Sequence, residues 1–140
     1  MERSIKINHV AVLGAAILCF ALAFIWYGPL FGEAWAIGAE VSNPQTPPVW
    51  ASISAFIVGL FSCYGIAYSL KWAKQTGAKA GLIFGGVVAV AFLLQVVIGP
   101  WLFAGRFLLF AVNMPYFTLC ALLSGLIIGG TMKATTLQNS

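Results

Sequence analysis

Acidic residues are nearly missing from this chain. It has no aspartate, three glutamates and one histidine among 140 residues, and only 7% of its residues are charged. Soluble domains carry about 25% charged residues, so a water-soluble fold is excluded. No paired carboxylates and no Ser-His-acid arrangement can be assembled for hydrolytic or general acid–base chemistry. The apolar stretches contain no deeply placed Glu, Lys or Arg. This removes the intramembrane charge by which proton pumps, voltage sensors and ion-coupled transporters are recognised. The three cysteines, Cys19, Cys63 and Cys120, lie tens of residues apart, without the clustering that a disulfide framework or a zinc site requires. Each falls near the middle of an apolar stretch and reads as a small packing residue. No metal and no cofactor is expected.

What the chain has in abundance is hydrocarbon: 61% of it is hydrophobic. Four stretches, at about 8–31, 49–70, 80–103 and 107–132, each exceed the roughly 20 residues needed to cross a bilayer. Arg3 and Lys6 before the first stretch, with Ala34-Trp35-Ala36 after it, have the outline of a signal peptide. The apolar run 10–31 is longer than the roughly 7–15 residues of such a segment, however, and reads as a spanning helix. Arg3, Lys6, Lys71, Lys74, Lys79 and Lys133 all fall on one side of the four stretches, and Arg106 alone on the other. Short basic loops stay in the cytoplasm, so both termini are expected inside. The net charge of +4 is divided among these segments, as orientation signals or contacts to anionic lipid head groups rather than a nucleic-acid surface. Short connections make successive helices antiparallel neighbours. The fold class is therefore all-α integral membrane, a single domain over 1–140 with four transmembrane helices in an up-down-up-down bundle.

Each stretch carries small residues at four-residue spacing: Ala11, Ala15, Cys19, Ala23; then Ala51, Ala55, Gly59, Cys63, Ala67; then Gly81, Gly85, Ala89; then Ala121, Gly125, Gly129. Lipid tails supply no hydrophobic drive, and such ridges let helices associate by close backbone approach. The second ridge is expected to lie against another helix along its length. Trp26, Tyr27, Trp35, Trp50, Trp101 and Tyr116 map to the outer half of the membrane, Tyr68 and Trp72 to the inner, as interfacial belts do.

Pro29, Pro100 and Pro115 also fall in the outer half, where each removes a backbone donor. With Tyr27, Glu33, Arg106, Asn113 and Tyr116 they outline a candidate polar vestibule ringed by Trp35, Trp50 and Trp101; the alternative is a kinked bundle whose prolines shape packing alone. The run Gly28-Pro29-Leu30-Phe31-Gly32-Glu33 echoes Gly99-Pro100-Trp101-Leu102-Phe103-Ala104-Gly105-Arg106. Either a parallel two-helix repeat or convergence on one helix ending accounts for it. If the echo is a repeat, Glu33 and Arg106 are expected to pair across the outer surface, Glu40 being the other acidic residue on that side; the alternative is that Arg106 snorkels to lipid phosphate while Glu33 faces water. Gln95, near mid-membrane, is a candidate intramembrane polar contact, to another helix or to a solute. His9 stands at the cytoplasmic mouth of the first stretch. It reads as an interfacial hydrogen-bonding residue, with an axial haem ligand as the alternative.

The run Trp26-Tyr27-Gly28-Pro29-Leu30-Phe31-Gly32-Glu33-Ala34-Trp35 resembles the DUF1761 family of small bacterial membrane proteins of unknown function. The resemblance includes Ile7-Asn8-His9-Val10-Ala11-Val12 upstream, then Leu102-Phe103-Ala104-Gly105-Arg106, Asn113, Tyr116 and Gly125, bracketing nearly the whole chain. It implies four membrane helices and no established activity. Members of the family often carry a basic residue where Glu33 stands and a histidine where Phe117 stands, so any chemistry resting on that histidine is not expected here.

The functional expectation is a non-enzymatic, multi-pass protein of the bacterial inner membrane, with the lipid bilayer and either copies of itself or a larger membrane complex as partners. The alternative is a permeation unit for a small neutral or weakly polar solute, formed by an oligomer.

Overall fold

The computed structural model describes residues 3–41, 47–93 and 103–136. A short strand β1 (Arg3–Lys6) leads into helix α1 (His9–Ile25), which widens into a π-helical turn at Trp26–Leu30 and is followed by the short helix α2 (Gly32–Gly38). Helix α3 spans Val49–Trp72, α4 spans Ala78–Val88 and passes into a second π-helical turn at Ala89–Leu93, α5 spans Phe107–Thr131, and β2 (Lys133–Thr136) closes the chain. Three helical segments among the described residues are long and apolar enough to cross a membrane: His9–Leu30, Val49–Trp72 and Phe107–Thr131. The stretch expected at 80–103 is described as a helix over Ala78–Ala91, and Gln95, Pro100 and Trp101 lie outside the described residues.

The helix boundaries follow from local chemistry. Asn8 caps α1, its side-chain oxygen accepting the Ala11 amide at 3.2 Å, which satisfies one of the donors orphaned at a helix start. Pro48, extended at ψ 148°, precedes α3 and supplies the fixed φ at which a helix is entered. At the far end of α3, Lys74 turns left-handed at φ 54°, and the Gln75 and Lys74 amides return to the Leu70 and Lys71 carbonyls. That paired bonding is a Schellman ending. Helix α2 ends in the same way, with Glu40 at φ 58° and the Val41 and Glu40 amides returning to Ala36 and Ile37.

The two strands pair antiparallel, with Lys6 opposite Lys133 and Ile5 opposite Ala134, so the two ends of the described chain lie side by side. Ile5 is buried beneath this ribbon with Val12, Ala15, Ala16, Cys63, Ile66, Ala67, Leu70, Ile128 and Met132, the core that joins α1, α3 and α5. Outward, large apolar side chains stand exposed, Val10, Val58 and Phe61 among them. In a bilayer that is the favourable arrangement, since lipid tails solvate them.

The closest helix contact is between α4 and α5. Gly81 and Gly85 oppose Ala121, Gly125 and Gly129, all five buried, and a Cβ added to Gly81 or Gly125 would overlap the other's carbonyl. At Gly129 a Cβ would meet the Gly77 oxygen and the Gly81 Cα at 2.7 Å. The Gly77 amide donates to the Gly129 carbonyl at 2.8 Å, tying the α3–α4 connection to the end of α5. Gly77 has φ 100°, a conformation that side chains disfavour. The third and fourth small-residue ridges thus meet each other.

The second ridge does not behave as expected along its whole length. Cys63 and Ala67 are buried, but Ala55 is exposed and a Cβ at Gly59 would have nothing within 4 Å among the described residues. All the buried residues of α3 lie between Cys63 and Leu70. Among the described residues the close contact along this ridge is confined to the end nearest the β-ribbon.

Candidate functional site

The π-helical turn at the end of α1 has a chemical origin. Pro29 cannot donate a backbone hydrogen bond, and Gly28 beside it offers no side-chain packing. The widened turn carries two consecutive aromatic residues to α5, whereas a regular helix would separate their directions by about 100°. Trp26 Nε1 donates to the Val112 carbonyl at 3.0 Å, and the Tyr27 hydroxyl donates to Asn113 Oδ1 at 2.6 Å.

Asn113 is buried, at 4% exposure, and its Nδ2 donates back to the Leu109 carbonyl at 2.8 Å. Both ends of its amide are thereby occupied. One turn on, the Tyr116 hydroxyl donates to the Cys19 carbonyl of α1 at 3.0 Å. The Tyr27 and Tyr116 rings meet edge-on with centroids 5.0 Å apart, and Trp35 of α2 closes on Tyr27 at 6.2 Å. Pro115 sits inside α5 between these two polar residues. Having no N–H to return to Ala111, it interrupts the ladder beside the Val112 carbonyl that receives Trp26.

Tyr27, Asn113 and Tyr116 are therefore brought together, as an interhelical cluster whose polar atoms bond one another or backbone. Glu33 and Arg106 are not part of it. Glu33 is exposed in the first turn of α2, where a negative charge faces the unpaired amides of the helix start. The expected Glu33–Arg106 pair is replaced by another: Arg106 donates to Glu40 Oε2 at 3.2 Å, with side-chain exposures of 41% and 71%. The reason is the Schellman ending of α2. Gly38 packs on the Leu109 backbone, a Cβ there meeting the Leu109 nitrogen at 2.7 Å, and the left-handed turn that follows delivers Glu40 beside the start of α5.

At the opposite end, His9 Nδ1 lies 3.0 Å from the Tyr64 hydroxyl, and Tyr64, Tyr68 and Trp72 form a run of ring contacts along α3 at 6.3 and 6.0 Å. In the middle of the bundle Ser124 of α5 meets two thiols: Cys19 Sγ and Cys63 Sγ each lie 3.4 Å from its Oγ. Among the described residues no three or more His, Cys, Asp and Glu side chains form a group able to hold a metal ion. Also among them, no buried side-chain nitrogen or oxygen lacks a partner.

Sequence reasoning missed Tyr64 as a partner of His9 and Ser124 as the meeting point of two thiols, and it preferred Glu33 to Glu40 as the partner of Arg106. For Ser124 a signal existed, since Cys19, Cys63 and Ser124 all fall at mid-stretch; between Glu33 and Glu40 none decided, because the position of Glu40 depends on a left-handed turn that the residue type does not announce.

A chain of apolar helices joined by glycine contacts and satisfied interhelical hydrogen bonds is of the class of polytopic membrane proteins. It belongs to the DUF1761 family, described as a protein of unknown function, whose family model matches residues 10–129. No curated protein and no solved structure matches the chain.

Proposed function

We propose that this protein is a non-enzymatic subunit of the bacterial inner membrane, crossing it four times with both termini in the cytoplasm and working as a homo-oligomer or as an accessory subunit of a larger complex. The observation that carries this reading is the uncovered part of the α3 ridge. Where α4 and α5 use their small residues, the backbones touch; on α3, Ala55 is exposed and a Cβ at Gly59 would meet nothing within 4 Å among the described residues. Small residues on a membrane helix favour close approach of a second helix, and one from another chain would complete this face. The pairing of β1 with β2 supports an even number of crossings, since it holds the two ends of the chain together. The positions of Arg3, Lys6, Lys71, Lys74, Lys79 and Lys133 support the cytoplasm as their side.

The test is purification in mild detergent followed by native mass spectrometry of the intact particle. An oligomer, or a stoichiometric companion, is the expected result, and Gly59→Leu should disperse it while leaving each chain folded. A lone monomer that stays lone in lipid nanodiscs refutes the reading. Reporter fusions at Ser140 and within the 44–48 loop test the orientation, with cytoplasmic signal expected only from Ser140.

A further inference from the structure

Hydrogen-bonded thiols from two helices converge on one hydroxyl at the centre of the bundle, with a third cysteine beside them. Cys63 of α3 donates to Ser124 Oγ at 3.4 Å, and Cys19 of α1 lies 3.4 Å from the same atom. Cys19 in turn donates to the Cys120 carbonyl of α5 at 3.6 Å. One direction satisfies every member: the Cys63 thiol to Ser124, the Ser124 hydroxyl to the Cys19 sulfur, the Cys19 thiol to the carbonyl. Cys19, Cys63 and Ser124 are buried and Cys120 is partly so. The two sulfurs that share Ser124 are no further apart than twice 3.4 Å.

We propose that Cys19 and Cys63, held by Ser124, form a two-coordinate site for a soft monovalent cation of the Cu(I) class. Ligand number and charge select that class. Zinc takes three or four protein ligands and hard divalent ions take about six oxygens; among the described residues no three His, Cys, Asp or Glu side chains form a group, and the oxygens at hand are the Ser124 hydroxyl and the Cys120 carbonyl. Soft thiolate sulfur favours Cu(I), and two sulfurs suffice for a closed-shell monovalent ion.

Charge balance in hydrocarbon sets the stoichiometry. The incoming cation forms a bond to the Cys19 sulfur and displaces its proton to water, while Cys63 coordinates through a lone pair as the neutral thiol. The product carries no net charge, and no oxidation state changes. Losing both protons would leave an anion with no nearby cation, a costly state in a bilayer interior. Ser124, already beside Cys19, donates its hydroxyl to the thiolate that forms.

The experiment titrates the reduced full chain, in mild detergent without oxygen, with Cu(I) against a chromophoric Cu(I) chelator; Ag(I) serves as a redox-inert second probe. The expected results are one ion retained per chain, one proton released, and X-ray absorption showing two sulfur neighbours. Cys19→Ser and Cys63→Ser should each lose retention, and Cys120→Ser should keep it. Ag(I) should raise the thermal stability of the wild type and of Cys120→Ser, and of neither other variant. Should Cys19→Ser or Cys63→Ser fail to fold, the wild-type coordination number and the retention by Cys120→Ser decide. No retention by the wild type, equal retention by Cys63→Ser, equal retention by the chain unfolded in dodecyl sulfate, or three sulfur neighbours would each overturn the assignment.

Discussion

Gly81 and Gly125 stand so close that neither has room for a Cβ: the added atom at one would overlap the carbonyl of the other. The contact joins α4 to α5, and any side chain must push the two backbones apart. Overpacking of this kind costs about 1–3 kcal/mol. We expect Gly81→Leu and Gly125→Leu each to lower the thermal stability of the purified monomer. Gly59→Leu, at a position with no neighbour within 4 Å of an added Cβ among the described residues, should leave that stability unchanged. Equal losses at all three positions would show that the α4–α5 contact has no special closeness.

The Tyr27–Asn113 hydrogen bond lends itself to a double-mutant cycle. Tyr27→Phe removes the donor from an amide oxygen that is buried, while the Asn113 bond to Leu109 persists. Interhelical hydrogen bonds in membranes average about 0.6 kcal/mol and reach about 1.7. At 2.6 Å, this one should lie in the upper part of that range. Coupling with Asn113→Ala, read by steric-trap or detergent unfolding, measures it, and strict additivity would remove the bond from the account.

For Arg106 and Glu40 the expected coupling is small, about 0–1 kcal/mol, because both side chains are well exposed. Glu40→Gln and Arg106→Gln should be weakly non-additive at low salt and additive at high salt, where screening is strong. Glu33→Gln should combine additively with Arg106→Gln at every salt concentration. The reverse pattern would restore the pair expected from the echoed motif.

The terminal ribbon can be tested by cross-linking. Register partners on an antiparallel pair have Cα atoms about 4.5–5.5 Å apart, inside the range that a disulfide bridges. Lys6→Cys with Lys133→Cys, in a background with the three native cysteines replaced by alanine, should form an intramolecular cross-link on mild oxidation. Lys6→Cys paired with a cysteine at Lys79 serves as the control and should not. Failure of the first pair would mean that the strands are not in register.

Membrane character was legible before any coordinates, because it depends on composition summed over about 20 residues and no single contact can reverse it. The helix starts near Asn8 and Val49 were legible for a related reason, since an apolar stretch begins at each. So was the pairing potential of Gly81, Gly85, Gly125 and Gly129, since spacing by four places small residues on one face. Which ridges meet was not legible. Every stretch carries one, and only the packing of α1, α3 and α5 at the ribbon end shows that Cys63 and Ala67 are covered, while Gly59 has no close neighbour among the described residues. The partner of Arg106 was likewise hidden, because two glutamates seven residues apart are equivalent in sequence until a left-handed Glu40 turns one of them toward Arg106. The thiols at Ser124 belong with these. Residues 19, 63 and 124 are distant along the chain, and their proximity arises from the depth at which three separate helices cross.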